Sequence, residues 1–245
     1  IHAGGEDLIF PHHENEIAQS ECCNGKIFAR YWLHNGFLNI DNRKMSKSLG
    51  NFFTVREIGE QYDLQVLRFF MLSAHYRSPI NFSREIMESS KSALERIVTA
   101  VSNLKHLLEN ASAGELTARE EELLEEMKEF RKKFEEAMDD DLNTADAQAA
   151  IFELVKFANT HGKEDSSVPF LTAVRQEIIS LSDILGLLVD RKEENLDQEI
   201  EDLIAERQAA RKARNFQRAD EIRDQLQAMG IILEDTREGV KWKRA

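Results

Sequence analysis

Two lysines that could act on phosphates stand in the run DNRKMSKSLGN, from Asp41 to Asn51. Lys44 and Lys47 are three positions apart, so their ammonium groups can reach one polyphosphate from the same loop. Charge that builds on a leaving pyrophosphate is stabilised most by donors that are already in place. A generic pair of lysines at this spacing usually lies on a solvent-exposed surface loop. The whole pentapeptide KMSKS, after a strand predicted at 37–41, favours phosphate chemistry instead.

A second stretch, HAGGEDLIFPHHENEIAQSECC, combines histidines and carboxylates at the predicted start of a helix. Pro11 suits the first helical turn, because its φ is fixed and its missing N–H needs no partner there. His12 and Glu16 are four positions apart and therefore share one helix face. An imidazole nitrogen and a carboxylate oxygen can hold one Zn²⁺ ion, usually beside cysteine thiolates. On spacing alone, however, a surface pair is the commoner outcome.

The rest of the chain must position these groups, and its pattern is mainly helical. Only three prolines occur in 245 residues, so long helices are permitted. Thr54 with Glu57 predicts a capping box at a helix start. After Pro79, apolar residues recur at helical spacing, with charged residues on the opposite faces. Four such stripes predict a helical bundle: Leu94 to Leu108, Leu123 to Phe134, Ala145 to Val155, and Val174 to Leu185.

Charge divides the chain unevenly. The net charge of −13 argues against nucleic-acid binding through the bulk field of the molecule. From residue 203 to the end, however, the chain contains 10 Lys and Arg and 7 Asp and Glu. This local excess of positive charge indicates a contact with a polyanion. In this segment a helical stripe runs from Phe216 to Leu226, and IILED and VKWKR flank TREG. The pattern predicts a helix followed by a hairpin.

Cysteine usage and hydropathy exclude several protein classes. Cys22 and Cys23 are the only cysteines and are adjacent, so a disulfide framework is excluded and a reducing cytosol fits. The sequence has no apolar run long enough to cross a membrane. We expect a cytoplasmic protein without membrane association.

The pentapeptide KMSKS and the string GGEDLIFPHHENEIAQSE together resemble the cysteinyl-tRNA synthetases, a family of class I aminoacyl-tRNA synthetases. KMSKS occurs across class I, whereas the histidine-rich string is similar to the zinc-bearing segment of this family alone. The resemblance implies that Lys47 is the main ATP contact and Lys44 a secondary one, both acting in catalysis. It also implies that His12 and Glu16 are metal ligands, completed by two cysteines upstream of Ile1. His2 matches a family histidine that lines the same pocket, where it could contact the substrate carboxylate or the adenylate.

The resemblance extends along the whole chain and implies three domains. Residues 1–80 would be the C-terminal remnant of a Rossmann-type α/β catalytic domain, with a stem-contact region. Residues 81–190 would be a helical bundle of DALR type, because MDDDLNTADAQAAIFEL is similar to that domain. Residues 191–245 would be a small α+β anticodon-binding domain with a hairpin. The fold class expected is therefore mainly α.

The tail residues that the resemblance assigns to tRNA binding are arginines, one lysine and one tryptophan. Single-stranded bases are read by stacking on aromatic or arginine side chains and by hydrogen bonds to base edges. Trp242 could stack a base, and packing against the helix is equally compatible with the sequence. The candidates are Arg211, Arg214, Arg237, Trp242, Lys243 and Arg244.

The implied function is a cysteine–tRNA ligase that activates cysteine with ATP and Mg²⁺ and transfers it to tRNA(Cys). One Zn²⁺ ion would select cysteine, and the family members would act as monomers in the cytoplasm. The family's first signature, an HIGH-type sequence, is absent, so we expect this chain to be inactive by itself. Three alternatives remain open: a cysteine ligase of mycothiol synthesis, a tRNA-binding module without catalysis, and an acidic helical interaction protein.

Overall fold

The structure is a computed structural model of the 245-residue chain. It describes residues 1–45, 53–111, 114–190, 203–207, 210, 216–228, 231–236 and 239–244. The chain divides into two compact units, residues 1–190 and residues 191–245. Each unit has its own core and is described by itself.

The first unit begins with a parallel pair of strands joined by a helical crossover. Strand β1 (His2–Gly5) pairs with β2 (Trp32–Asn35), and His2 lies opposite Trp32. The crossover contains a 3₁₀ turn, a π-helical turn (Ile9–His13) and helix α1 (Glu14–Asn24). Parallel strands need such a connection, because a tight turn cannot reverse the chain direction twice.

A three-stranded sheet follows directly. Strand β3 (Leu38–Ile40) lies between the antiparallel β4 (Arg43–Lys44) and the parallel β5 (Ile80–Phe82). The strand predicted at 37–41 is therefore confirmed. Asp41 and Asn42 turn the chain from β3 into β4 with φ of 48° and 60°. Asn and Asp tolerate this left-handed region better than most residues.

Two short helices connect the sheet strands. Helix α2 (Val55–Gly59) begins after Thr54, whose side chain accepts the N–H of Glu57, while the Glu57 carboxylate accepts the N–H of Thr54. The predicted capping box is confirmed. Helix α3 (Leu64–Leu72) follows and is capped by Asp63.

Four longer helices form the bundle of the first unit. Each has a side-chain cap at its start, from Ser83, Thr117, Asn143 and Ser167 respectively. Three of the apolar stripes predicted from the sequence supply its core, with Ile97, Phe134 and Ile178. In α6 the predicted stripe is only partly right, because Ala149 is exposed and Leu154, which lies outside that stripe, is buried. The bounds are α4 (Arg84–Asn110), α5 (Ala118–Asp139), α6 (Thr144–His161) and α7 (Val168–Ile184).

The second unit contains the predicted helix and hairpin. Helix α8 (Phe216–Ala228) precedes β6 (Ile231–Thr236), which pairs antiparallel with β7 (Gly239–Arg244). A helical segment at 203–207 contributes Ile204 to a small core. The other buried members of that core are Ile222, Leu226 and Ile231.

The predicted fold class, mainly α, is confirmed. Among the described helices, none is both long and apolar enough to span a lipid bilayer.

Candidate functional site

A cluster of histidines and one carboxylate forms where the crossover meets the parallel strands. His2 starts β1, and His34 lies on β2, two residues beyond the partner of His2. The helical crossover returns over these strands and brings His13 and Glu16 to them. Atoms of His2, His13 and Glu16 that could bind a metal all lie within 4.8 Å of one another.

The carboxylate of Glu16 lies beside the ring of His2 in this cluster. Its Oε2 lies 2.6 Å from Nε2 of His2, although the two side chains remain partly exposed. The same oxygen is shielded from solvent and has no aligned hydrogen-bond donor in the described part of the chain. A shielded carboxylate charge is stabilised by a nearby cation. The donor set of imidazole nitrogen and carboxylate oxygen therefore fits Zn²⁺.

His13 is the buried member of the cluster, with 4% of its surface exposed. Its Nδ1 forms a hydrogen bond of 2.8 Å with Nε2 of His34. This bond leaves Nε2 of His13 as the ring nitrogen that is free for a metal. A partner on the second nitrogen fixes ring orientation and tautomer, as is common for histidines that bind metals.

His12, the ligand expected from the resemblance, is exposed and lies outside the group of three. Glu16 and His2, the other two site residues predicted in this stretch, lie within it. Positions three and four residues before Glu16 are both near it on a helix, so spacing does not distinguish His13 from His12. In this structure the side chain at 13 packs inward against the strands, and the one at 12 faces solvent. The prediction at His12 stays a prediction.

Aromatic side chains form one wall of the cluster. The ring of His2 lies 5.0 Å from the rings of both Phe28 and Trp32, and His13 lies 5.4 Å from Trp32. Such neighbours lower the local polarity and strengthen electrostatic interactions inside the site. Residues 13, 32 and 34 were not among the predicted site residues. Strand alternation could have found two of them, because residues 32 and 34 share one face of β2.

The turn of the strand hairpin that leads to the lysines is bonded to the neighbouring strand β5. The N–H of Asp41 donates to the carbonyl of Phe82, and the N–H of Asn42 donates to Oδ1 of Asn81, 2.7 Å away. In the register, Lys44 lies opposite Asn39. The side chain of Lys44 and all of Lys47 lie outside the described residues, so their roles stay predictions.

A small cavity of about 220 Å³ lies beside this hairpin. Its apolar lining includes Ile40, Phe53 and Phe82, and its rim includes Tyr62 and Glu57. Burial raises the pKa of Tyr62, and the hydrogen bond of 3.1 Å from its hydroxyl to Glu88 raises it further. The hydrogen bond from the backbone of Thr54 lowers the pKa of Glu57.

Three family profiles match the chain in order. The tRNA synthetases class I (C) catalytic domain matches residues 1–92, and the DALR domain matches residues 133–189. The cysteinyl-tRNA ligase anticodon binding domain matches residues 193–242. A cysteine–tRNA ligase of Lachnospira eligens is 64% identical over 245 residues, and one of Clostridioides difficile is 54% identical over 244. By sequence, the chain belongs to the cysteine–tRNA ligase family.

The match covers all of this chain but only part of each family member. The chain spans about half the length of the curated relatives it matches, and 52% of both the Lachnospira eligens and the Clostridioides difficile ligase. The resemblance drawn from KMSKS and the histidine-rich string is thus confirmed at the level of the family.

Solved structures outside this family share the fold at low identity. The ternary complex of Agrobacterium radiobacter K84 agnB2 LeuRS with tRNA and LeuAMS aligns with a TM-score of 0.60 and 18% identity. The alignment covers 78% of this chain and 27% of the LeuRS chain. Methionyl-tRNA synthetase of Mycobacterium tuberculosis, in complex with methionyl-adenylate, aligns with a TM-score of 0.57 and 20% identity, covering 75% and 40% respectively. At these identities the similarity concerns the fold alone.

The tail residues that the family resemblance assigns to tRNA are only partly described. Trp242, Lys243 and Arg244 lie on β7, where Trp242 pairs with Leu233 of β6. Their side chains are outside the described part of the structure, as are Arg211, Arg214 and Arg237 entirely. All six assignments stay predictions.

Proposed function

We propose that the complete protein to which this chain belongs is a cysteine–tRNA ligase. It would activate cysteine with ATP to cysteinyl-adenylate and transfer the cysteinyl group to tRNA(Cys). The observation that carries this proposal is the identity of 64% to a cysteine–tRNA ligase over the full length of the chain. The gathering of His2, His13 and Glu16 supports it, because these groups could form part of a metal site.

Zinc fits the donor atoms around Glu16. The chemistry that Zn²⁺ supplies when bound is selection of a soft thiolate over the hydroxyl of serine, a distinction that pocket shape makes poorly. We assign Glu16 and His12 as the ligands that this chain contributes. Two cysteines outside this segment would complete the site. The assignment of His12, which is exposed, follows the family resemblance, whereas the buried His13 is the histidine that lies within reach of Glu16 in this structure.

His2 has a second role in this proposal. Its imidazole packs against the rings of Phe28 and Trp32, which limit its movement, and its Nε2 lies near the Glu16 carboxylate. An imidazole held in this way can donate a hydrogen bond to the substrate carboxylate or to the adenylate. It would thereby orient the carboxylate oxygen that attacks the α-phosphorus of ATP.

Lys44 and Lys47 are proposed to bind the phosphates of ATP together with Mg²⁺. As the bond between the α- and β-phosphates breaks, negative charge grows on the leaving pyrophosphate, and the two ammonium groups would stabilise it. Lys44 lies on the edge strand β4, which pairs with the central strand β3, so the start of the loop is anchored.

The remaining assignments complete the proposal. Residues 1–80, 81–190 and 191–245 would be the catalytic remnant, the helical bundle and the anticodon-binding domain, in a monomeric cytoplasmic protein. The tail would bind tRNA(Cys) through the arginines, Lys243 and Trp242 named above. Because the chain spans half of its relatives, the proposed activity belongs to the complete protein, and this chain alone would be inactive.

Cysteine-dependent exchange of pyrophosphate into ATP tests the proposal in the complete protein. Lys47→Ala should lower the exchange rate at least tenfold with little change in cysteine binding, because the lost charge acts on the leaving group. Lys128→Ala is the matched control, since Lys128 is an exposed lysine of α5. An unchanged rate in Lys47→Ala would refute the role of Lys47. Absence of any exchange in the unmodified protein would refute the function itself.

A further inference from the structure

The turn between α5 and α6 places a carboxylate on a loop 65 residues earlier in the chain. The hydroxyl of Tyr76 donates a hydrogen bond of 2.9 Å to Oδ1 of Asp141, and this contact is partly buried. Nη2 of Arg77 lies 2.7 Å from Oδ2 of Asp141 and forms an ion pair with it. Nε2 of His75 lies 3.7 Å from the same oxygen. Three consecutive side chains therefore converge on one carboxylate.

The contacts among these three residues keep the group together. The ring of His75 stacks on Tyr76 at 4.8 Å, and Nε of Arg77 donates to the hydroxyl of Tyr76. This bond to Tyr76 and, to a smaller extent, the charge of Asp141 raise the pKa of Arg77. The side chain of Arg77 is 62% exposed, so its ion pair is weak by itself. The hydrogen bond from Tyr76 to Asp141 is better shielded from solvent than this ion pair and therefore holds Asp141 more firmly.

The backbone at Asp141 is held in an uncommon conformation. Asp141 and Leu142 have φ of 55° and 60°, in the left-handed region that costs most residues free energy. Two backbone bonds close this turn, from Leu142 to Met138 and from Asn143 to Ala137. The turn thus fixes where the carboxylate stands, and a straight continuation of α5 would point it elsewhere.

The loop that Asp141 holds is bonded to the junction between β2 and β3. The carbonyl of Tyr76 accepts the N–H of Gly36 at 2.8 Å, and the carbonyl of Phe37 accepts the N–H of Ile80 at 2.9 Å. The backbones touch here, since a Cβ at Gly36 would lie 2.6 Å from the carbonyl carbon of Ser78. Residues 36 and 37 join the strand that carries His34 to the strand that leads towards Lys44.

We propose that Asp141 is a positioning residue for adenylate formation. Through Tyr76 it holds the junction at 36–37 and thereby sets the distance between the histidine cluster and the start of the lysine loop. The inference rests on the proposed function, because it assigns the first group to the cysteine side and the second to ATP. Asp141 itself touches neither substrate in this scheme.

The expected kinetic signature is a loss in kcat with little change in KM. Each half of the site would stay intact and bind its own substrate, while the alignment between the halves would be lost. Small displacements of reacting groups can lower rates by about 100-fold. In the complete protein, Asp141→Gly should lower kcat of cysteine-dependent exchange about tenfold, with KM for ATP and for cysteine within about twofold. Asp141→Asn, which keeps an acceptor for Tyr76, should lose only about threefold.

The two substitutions at Asp141 should not disturb the backbone of the turn between α5 and α6. Glycine and asparagine both adopt positive φ readily, so the turn is kept while the carboxylate is removed. Tyr76→Phe should lower kcat in the same direction, and the double variant with Asp141→Gly should lose no more than the larger single loss. Glu153→Gln is the matched control, because it breaks an ion pair with Lys133 that links the same two helices at their surface.

Hydrogen exchange gives a readout that does not depend on activity. The amide protons of Gly36 and Ile80 should exchange at least fivefold faster in Asp141→Gly than in the unmodified protein. Their exchange rates should be unchanged in Glu153→Gln. Unchanged protection in Asp141→Gly, or a loss of kcat equal to that of Glu153→Gln, overturns the positioning role. If the unmodified protein lacks exchange activity while the two amides respond as expected, the proposed function fails and the structural link from Asp141 to the junction stands.

Discussion

The helical bundle and the first 45 residues are built in opposite ways. In the bundle, large side chains such as Phe134, Phe170 and Leu154 are at most 1% exposed. Among the side chains described in residues 1–45, the only ones that are buried belong to His13 and Ile40. The bundle is therefore held by apolar packing, whereas the histidine cluster depends on strand pairing, ring contacts and hydrogen bonds.

This difference shows in the exposed surface of the site region. Phe10, Ile27 and Tyr31 are 78%, 76% and 66% exposed, which is unusual for side chains of this size. The candidate site residues thus lie on a part of the chain that packs little against itself.

The largest expected effect comes from the bundle core. Phe170→Ala should lower the free energy of unfolding by about 3–5 kcal/mol, because the removed ring leaves a cavity that its neighbours fill only in part. Phe170 follows Pro169 in the first turn of α7 and is 1% exposed. Urea unfolding of the 245-residue chain, followed by circular dichroism, measures the change. A loss below about 1 kcal/mol would contradict the packed core.

The proposed metal site can be tested through the metal content of the protein. Glu16→Gln should weaken zinc retention of the complete protein at least tenfold, because a ligand carboxylate is lost. His12→Ala should do the same, whereas His13→Ala should retain zinc, as assigned above. Plasma emission analysis of dialysed protein measures this. The reverse pattern, with zinc lost in His13→Ala and kept in His12→Ala, would assign the metal to the buried histidine that this structure places beside Glu16.

The capping boxes of α2 (Thr54 with Glu57) and α5 (Thr117 with Glu120) allow a matched comparison of an exposed and a buried helix start. The Glu120 carboxylate accepts from Thr117 and also from the N–H of Ser167 at 2.8 Å, which joins α5 to α7. Burial opposes its ionisation, but the bonds from the backbones of Thr117 and Ser167 outweigh it, so the pKa of Glu120 is lowered. Glu120→Gln should cost about 1–2 kcal/mol of stability at neutral pH. Glu57→Gln, in the exposed box of α2, should cost less.

The sign of the pH dependence follows from the lowered pKa of Glu120. Its stabilisation is present in full above the ordinary value of 4.5 and is lost as the pH falls through the lowered value. The difference in melting temperature between the unmodified chain and Glu120→Gln should therefore shrink between neutral pH and pH values well below 4.5. A difference that stays constant over this range would show that the charge of Glu120 plays no part.

The smallest effect is expected at the exposed surface of the site region. Phe10→Ser should leave the unfolding free energy of the 245-residue chain within about 0.5 kcal/mol, because surface substitutions rarely do more. The side chain of Phe10 is 78% exposed and so has little packing to lose. A loss comparable to that of Phe170→Ala would abolish the contrast between the two regions.

Most helices and the C-terminal hairpin could be predicted from the sequence because these elements are specified locally. Neighbouring residues are enough to recognise apolar stripes of helical period, the cap at Thr54 and the hairpin strands. The histidine cluster could not be predicted in full. His13 and His34 meet across 21 residues, and only the parallel pairing of β1 with β2 brings them together. The same limit applies to Asp141, whose partners lie 65 residues away.

Gly36 has a consequence for the sequences that this fold can accept. Its missing Cβ would meet Ser78 and Pro79 at 2.6–2.7 Å, and the atoms met are backbone, which has no rotamer to change. Gly25, by contrast, ends α1 with φ of 62° and has open space around it. In a library randomised at both positions and selected for function, we expect glycine alone at 36 and asparagine beside glycine at 25.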